Sequence, residues 1–74
     1  MLDPEKNQKL LDLTTRAVSI NEELLKAEKR FIDAVSRNVE LNVLKEMHRK
    51  INLLMRKEVL YNGAAESILR RAAT

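Results

Sequence analysis

The strongest constraint on this chain is a seven-residue repeat of apolar side chains between Leu10 and Val35. Divided into sevens from Leu10, the sequence reads LLDLTTR, AVSINEE, LLKAEKR and FIDAVSR. The first, second and fourth positions of every block are apolar, which gives three apolar columns along one helix. A sustained repeat of this period is typical of a long helix packed against other helices. The repeat therefore predicts an all-α fold.

The three columns together are wide. At about 100° per residue they lie near 0°, 100° and 300° around the helix, an arc of about 160°. A two-stranded coiled coil buries only a narrower stripe, whereas a wide stripe has neighbours on two sides in a helical bundle. We call the residues at the second position of each block the second column: Leu11, Val18, Leu25 and Ile32.

The first helix is predicted over about residues 4–36. Asp3 is placed to cap its first turn, and Pro4 at the first helical position has no N–H to leave unpaired. Such a helix is roughly 50 Å long at 1.5 Å per residue. The repeat then fails, because Asn38 stands where an apolar residue is due. Asn38 either occupies a turn between two helices or forms a polar layer in one much longer helix.

A second apolar stripe predicts a second helix over about residues 40–61. Its residues again have three-and-four spacing: Leu41, Leu44, Met47, Ile51, Leu54 and Met55. Asn62-Gly63 follows and leaves two alternatives. Either the helix ends there and a short C-terminal helix covers about 64–73, or the same helix continues over 64–73. In both cases residues 1–74 form one domain, an antiparallel helical hairpin.

We expect this hairpin to associate with another helix. A chain of 74 residues has a small core, and the absence of cysteine excludes disulfides as its support. A single hairpin also leaves part of the wide stripe uncovered. The chain is therefore predicted to form a homodimer, a four-helix bundle, or to bury a partner's amphipathic helix. The predicted interface consists of Leu11, Val18, Leu25, Phe31, Ile32, Leu44, Met47, Ile51, Leu54 and Met55.

The sequence offers no enzyme signature, and we expect no catalytic residue, cofactor or metal. It lacks a cysteine nucleophile and a glycine-rich phosphate loop, and His48 is its single histidine. No apolar run is longer than three residues, which predicts no membrane-spanning segment, and the N-terminus has no apolar leader-like stretch. On these grounds a cytoplasmic protein is expected.

Basic side chains on the second helix suggest an alternative function. The net charge of +3 comes entirely from residues 38–74, which carry seven basic and four acidic side chains. A basic helical dimer could follow a phosphate backbone. The residues that would contact nucleic acid are Lys45, Arg49, Lys50, Arg56 and Lys57. Against this alternative, Glu46 and Glu58 interrupt the stripe and aromatic residues for base stacking are nearly absent.

In length and two-helix pattern over about residues 10–70, the chain resembles the small co-chaperones that hold needle subunits of type III secretion systems. The resemblance implies a helical hairpin that holds another protein's helix, and it assigns no role to any single residue. The sequence thus predicts a non-enzymatic protein–protein interaction module: a small chaperone, an adaptor or a regulatory subunit.

Overall fold

Two long α-helices make up the computed structural model, which describes residues 3–73. Helix α1 spans Pro4–Ser36 and helix α2 spans Leu41–Ala73, each 33 residues long. They pack antiparallel along their length, and the longest dimension of the hairpin is 53 Å. The predicted all-α hairpin is therefore confirmed.

Helix α1 begins as the sequence predicts. The side chain of Asp3 accepts a hydrogen bond from the backbone N–H of Lys6, at 2.8 Å between nitrogen and Oδ1. Pro4 is the first helical residue, and Glu5 puts a negative charge in the first turn. Both features stabilise an N-terminus, where backbone N–H groups have no partner within the helix.

The turn between the helices centres on Asn38, which has a φ of +57°. The N–H of Asn38 donates to the carbonyl of Val35 at 3.2 Å, and the N–H of Val39 donates to Ala34 at 3.1 Å. This pair of bonds is a Schellman motif, which satisfies the last carbonyl groups of a helix. Asparagine tolerates the left-handed conformation better than most residues do. The alternative of one continuous helix is thus wrong.

Helix α2 passes through Asn62-Gly63 without a break. Of the two alternatives for the C-terminal segment, the structure has the continuation, and the short separate helix after Gly63 is wrong. Gly63 does not adopt a positive φ, and strong helix formers follow it. Ala65 and Ile68 are half-buried beyond it, so packing against α1 supports the last turns.

The core is the seam between the two helices. On α1 it is lined by the two columns at the first and fourth positions of the seven-residue blocks. On α2 it is lined by residues at alternating spacings of three and four. All of these side chains are buried or half-buried: Leu10, Leu13, Ala17, Ile20, Leu24, Ala27, Phe31 and Ala34 from α1, and Leu44, Met47, Ile51, Leu54, Glu58, Tyr61, Ala65 and Ile68 from α2. We call this set the inner seam.

Candidate protein-protein interface

The second column of α1 lies outside the inner seam and faces solvent. Its four side chains are apolar and at least half exposed: Leu11 59%, Val18 53%, Leu25 51% and Ile32 67%. Their spacing of seven residues extends the column over three heptads, about 30 Å at the helical rise. A row of exposed apolar side chains of this length on one side of a small protein is typical of an interaction surface.

Helix α2 adds apolar residues on the same side. Met55 lines a shallow cavity of about 290 Å³ together with Ile32, and it is 48% exposed. Leu41 and Leu69 lie fourteen residues before and after Met55, hence on nearly the same side of α2, and both are exposed. The second column with Leu41, Met55 and Leu69 is called the open face below.

The ten residues predicted for the interface divide into two groups. Leu11, Val18, Leu25, Ile32 and Met55 are exposed on the open face. The other five belong to the inner seam and pack between the two helices. Ile51 is buried, and the rest are half-buried: Phe31, Leu44, Met47 and Leu54. The three-column interpretation of α1 predicted that a single hairpin leaves the second column exposed, because one neighbouring helix covers only two of the three columns.

A carboxylate lies in the inner seam beside the middle of the open face. The sequence analysis counted Glu58 among the residues that interrupt the basic stripe of α2, and the structure places it instead at a half-buried position. Glu58 occupies a position of the inner seam and is half-buried there. It borders a small cavity of about 170 Å³ that is also lined by Thr14, Ala17, Val18, Asn21 and Asn62. The spacing of Leu44, Ile51 and Glu58, seven residues each, is the signal that places this carboxylate in the seam.

Near the turn, the seam contains an aromatic contact. The rings of Phe31 and His48 have centroids 5.6 Å apart and are inclined at 50°. The side-chain amide nitrogen of Asn52 lies 3.5 Å from Nδ1 of His48. Phe31 of α1 and His48 of α2 are thus in contact across the two helices at this end of the hairpin.

The five basic residues of the nucleic-acid alternative are all exposed on α2. They form two rows: Lys45, Arg49 and Arg56 in one, Lys50 and Lys57 in the other. The exposed side chains of Leu53 and Leu60 lie between the rows. Arg49 also donates a hydrogen bond to the carboxylate of Glu46 at 2.7 Å.

This ion pair changes the titration of both of its members. The hydrogen bond from Arg49, and then its charge, lower the pKa of Glu46 below its ordinary value. The same hydrogen bond and the charge of Glu46 raise the pKa of Arg49. The guanidinium of Arg49 is therefore engaged within its own helix.

Residues 3–73 contain neither a cluster of metal ligands nor a membrane-spanning stretch. No group of three or more histidine, cysteine or acidic side chains there is arranged to hold a metal ion. Neither helix, within that range, has a stretch long and apolar enough to cross a bilayer.

Comparison with models of protein families, with characterised proteins and with solved structures gives no match to this chain. The geometry of the open face and the chemistry of its residues are therefore the basis for a functional proposal.

Proposed function

We propose that this chain is a non-enzymatic helical interaction module that works by covering its open face. The exposed second column is the observation that carries the proposal. The occupant is a second copy of the hairpin, which would complete a four-helix bundle, or an amphipathic helix of another protein. A small chaperone, a type III secretion-like co-chaperone, an adaptor or a regulatory subunit would act in this way.

The size of the hydrophobic gain supports association. Burying one large apolar side chain fully is worth roughly 1.5–3 kcal/mol. Covering the exposed half of seven such side chains on each of two copies therefore yields about 10–20 kcal/mol. Association costs about 4–15 kcal/mol in lost freedom. Because the gain and the cost are of similar size, we expect an assembly that dissociates on dilution.

Sedimentation velocity over low to high micromolar concentration tests this expectation. The wild-type chain should shift from monomer toward dimer or a larger species as concentration rises. The variant Leu25→Asp should stay monomeric, since it puts a charge in the centre of the open face. It should remain helical by circular dichroism, because Leu25 is half exposed in the hairpin.

The matched control is Ser19→Asp, which adds the same charge at an exposed position of α1 outside the second column. It should associate as the wild type does. A folded wild-type monomer at every concentration would contradict self-association, and unchanged association of Leu25→Asp would show that a different surface is used.

The alternative function is nucleic-acid binding through the five exposed basic residues of α2. Its support is their exposure and the net charge of +3. Titration with duplex DNA or RNA at two salt concentrations separates the two functions, because contacts to phosphate weaken steeply with salt. Binding that is strong at low salt and lost in Arg56→Gln and Lys57→Gln would favour this alternative over the interaction module.

A further inference from the structure

Glu58 brings a carboxylate into a seam that is otherwise lined by apolar side chains. Its Oε2 atom is buried and accepts no hydrogen bond from any residue in the described part of the chain. A buried carboxylate oxygen without a donor is costly, and such atoms in native proteins nearly always have a partner. In the single hairpin, Oε2 of Glu58 therefore has no hydrogen-bond donor.

The space next to Glu58 opens toward the open face. Ala17 opposite it is small, and the cavity that remains is bordered by Val18 of the second column. Three other polar side chains border the same cavity, and none of them is hydrogen-bonded to Glu58 within residues 3–73. We call these side chains and Glu58 the polar layer: Thr14, Asn21, Glu58 and Asn62.

The polar layer lies near the middle of the hairpin. Ile20 is the middle residue of α1 and Lys57 the middle residue of α2, so Asn21 and Glu58 are each one residue from the centre. Two copies that bury their open faces against each other are related by a two-fold axis either along the hairpin or across it. An axis along the hairpin sets each level of one copy opposite the same level of the other. An axis across the hairpin sets middle against middle when the two copies overlap over their full length, which is the arrangement that buries the most of both open faces.

We propose that the polar layer is a self-complementary docking site for the polar layer of a second copy of this chain. The side-chain amides of Asn21 and Asn62 donate N–H to the Glu58 carboxylate of the other copy, and the symmetry repeats the contact. An ionised carboxylate only accepts hydrogen bonds, and a side-chain amide offers two N–H donors. The polar layer therefore contains both the donors and the acceptor of the proposed contact. A second copy that overlaps the first over its full length presents these donors at the level of Glu58.

This inference rests on the proposed function, because it requires the open face to be covered. It adds the identity of the occupant and a role for the polar layer. Polar contacts within an apolar helical interface often fix register and oligomeric state at the expense of affinity. We therefore expect the layer to select one alignment of two hairpins among the several that the second column alone would allow.

The first experiment replaces the carboxylate by an apolar side chain. Glu58→Leu should self-associate at least tenfold more tightly than the wild type. Sedimentation should show a mixture of species, and the NMR spectrum should contain more than one set of amide signals. The wild-type dimer should show a single set. The control Glu23→Leu, an exposed glutamate at the opposite edge of the seam, should behave as the wild type does.

The second experiment exchanges charges between copies. The double variant Asn21→Asp/Asn62→Asp places acids opposite Glu58, so its self-association should weaken at least tenfold. Mixing it with Glu58→Lys should restore a heterodimer within a few-fold of the wild-type affinity, since the lysine then meets the two new carboxylates. Failure of the mixture to associate would overturn the proposed contact.

The two proposals fail in different ways. If Leu25→Asp dissociates the assembly while Glu58→Leu behaves like Glu23→Leu, the open face is an interface but the polar layer takes no part in it. If Leu25→Asp leaves association unchanged, both proposals are wrong. If the wild type is monomeric at every concentration, the polar layer does not bind a second copy and this inference is wrong, whereas the proposed function then depends on a helix of another protein. If an amphipathic helix of another protein, and not a second copy, protects the backbone amides of the polar layer from hydrogen exchange, the proposed identity of the occupant is wrong.

Discussion

Leu24 and Leu25 are neighbours in the chain with identical side chains, yet the first is 9% exposed and the second 51%. The same contrast repeats along α1, where Ala17 is buried beside Val18 and Phe31 is half-buried beside Ile32. Both members of each pair are apolar, and the two leucines differ only in their direction around the helix. The difference shows that hydrophobicity qualifies a residue for burial, while the position of the second helix decides whether the residue is buried.

The largest difference in the free energy of unfolding is expected between Leu24→Ala and Leu25→Ala. Leu24→Ala removes a buried side chain and leaves a cavity, so the free energy of unfolding should fall by about 2–5 kcal/mol at every protein concentration. Leu25→Ala should cost less than about 1 kcal/mol in the monomer, and more where the protein is assembled. Urea unfolding at a low and a high concentration measures both. Equal losses at low concentration would contradict the division into inner and open surfaces.

The turn is the next test, because it determines which columns face α2. Asn38→Ala should lower the free energy of unfolding by about 1 kcal/mol, since alanine is strained at a φ of +57°. Asn38→Gly is the control and should be neutral or slightly stabilising, because glycine adopts this conformation without strain. Thermal unfolding distinguishes the variants. The loss should not vary with protein concentration, unlike that of a residue on the open face.

A smaller gain of stability is expected on the outer side of α2. Gly63 lies within the helix at a negative φ, and a Cβ atom built there has no neighbour within 4 Å. Gly63→Ala should therefore raise the free energy of unfolding by about 0.5–1 kcal/mol. The reciprocal control Ala64→Gly should lower it by a similar amount. If Gly63→Ala instead weakens self-association, the interface extends further around α2 than the open face.

The smallest effect concerns the ion pair between Glu46 and Arg49, which lies outside both the inner seam and the open face. Because the pKa of Glu46 is lowered, its contribution to stability is present above the ordinary pKa of a glutamate and is lost as pH falls through the lowered value. Arg49→Gln should return the pKa of Glu46 toward its ordinary value in an NMR titration. The exposed pair should not alter dimer formation.

Much of the fold follows from local signals in the sequence. Asp3-Pro4 marks the start of α1, and Asn38 marks the turn at the point where the repeat fails; both predictions are confirmed. The course of the chain at Gly63 was open, because one glycine costs a helix only about 1 kcal/mol and packing can offset that cost. The half-buried side chains of Ala65 and Ile68 supply such packing.

The candidate site was only partly predictable. The second column could be identified because its period and its angle around α1 are properties of one helix. The polar layer could not, since it combines Asn21 of α1 with Glu58 and Asn62 of α2, and their proximity depends on the level at which the helices pack. Phe31 and His48 meet for the same reason.

By itself, the sequence determined two amphipathic helices, the turn that joins them and an apolar stripe too wide for one neighbour. Those properties depend on residues within a few turns of each other, which local periodicity and capping specify. Only the tertiary structure decided which columns the partner helix covers and which side chains share the cavity beside Glu58. A helix fixes the angles of its own side chains, but burial and hydrogen bonding across the seam depend on where the other helix lies.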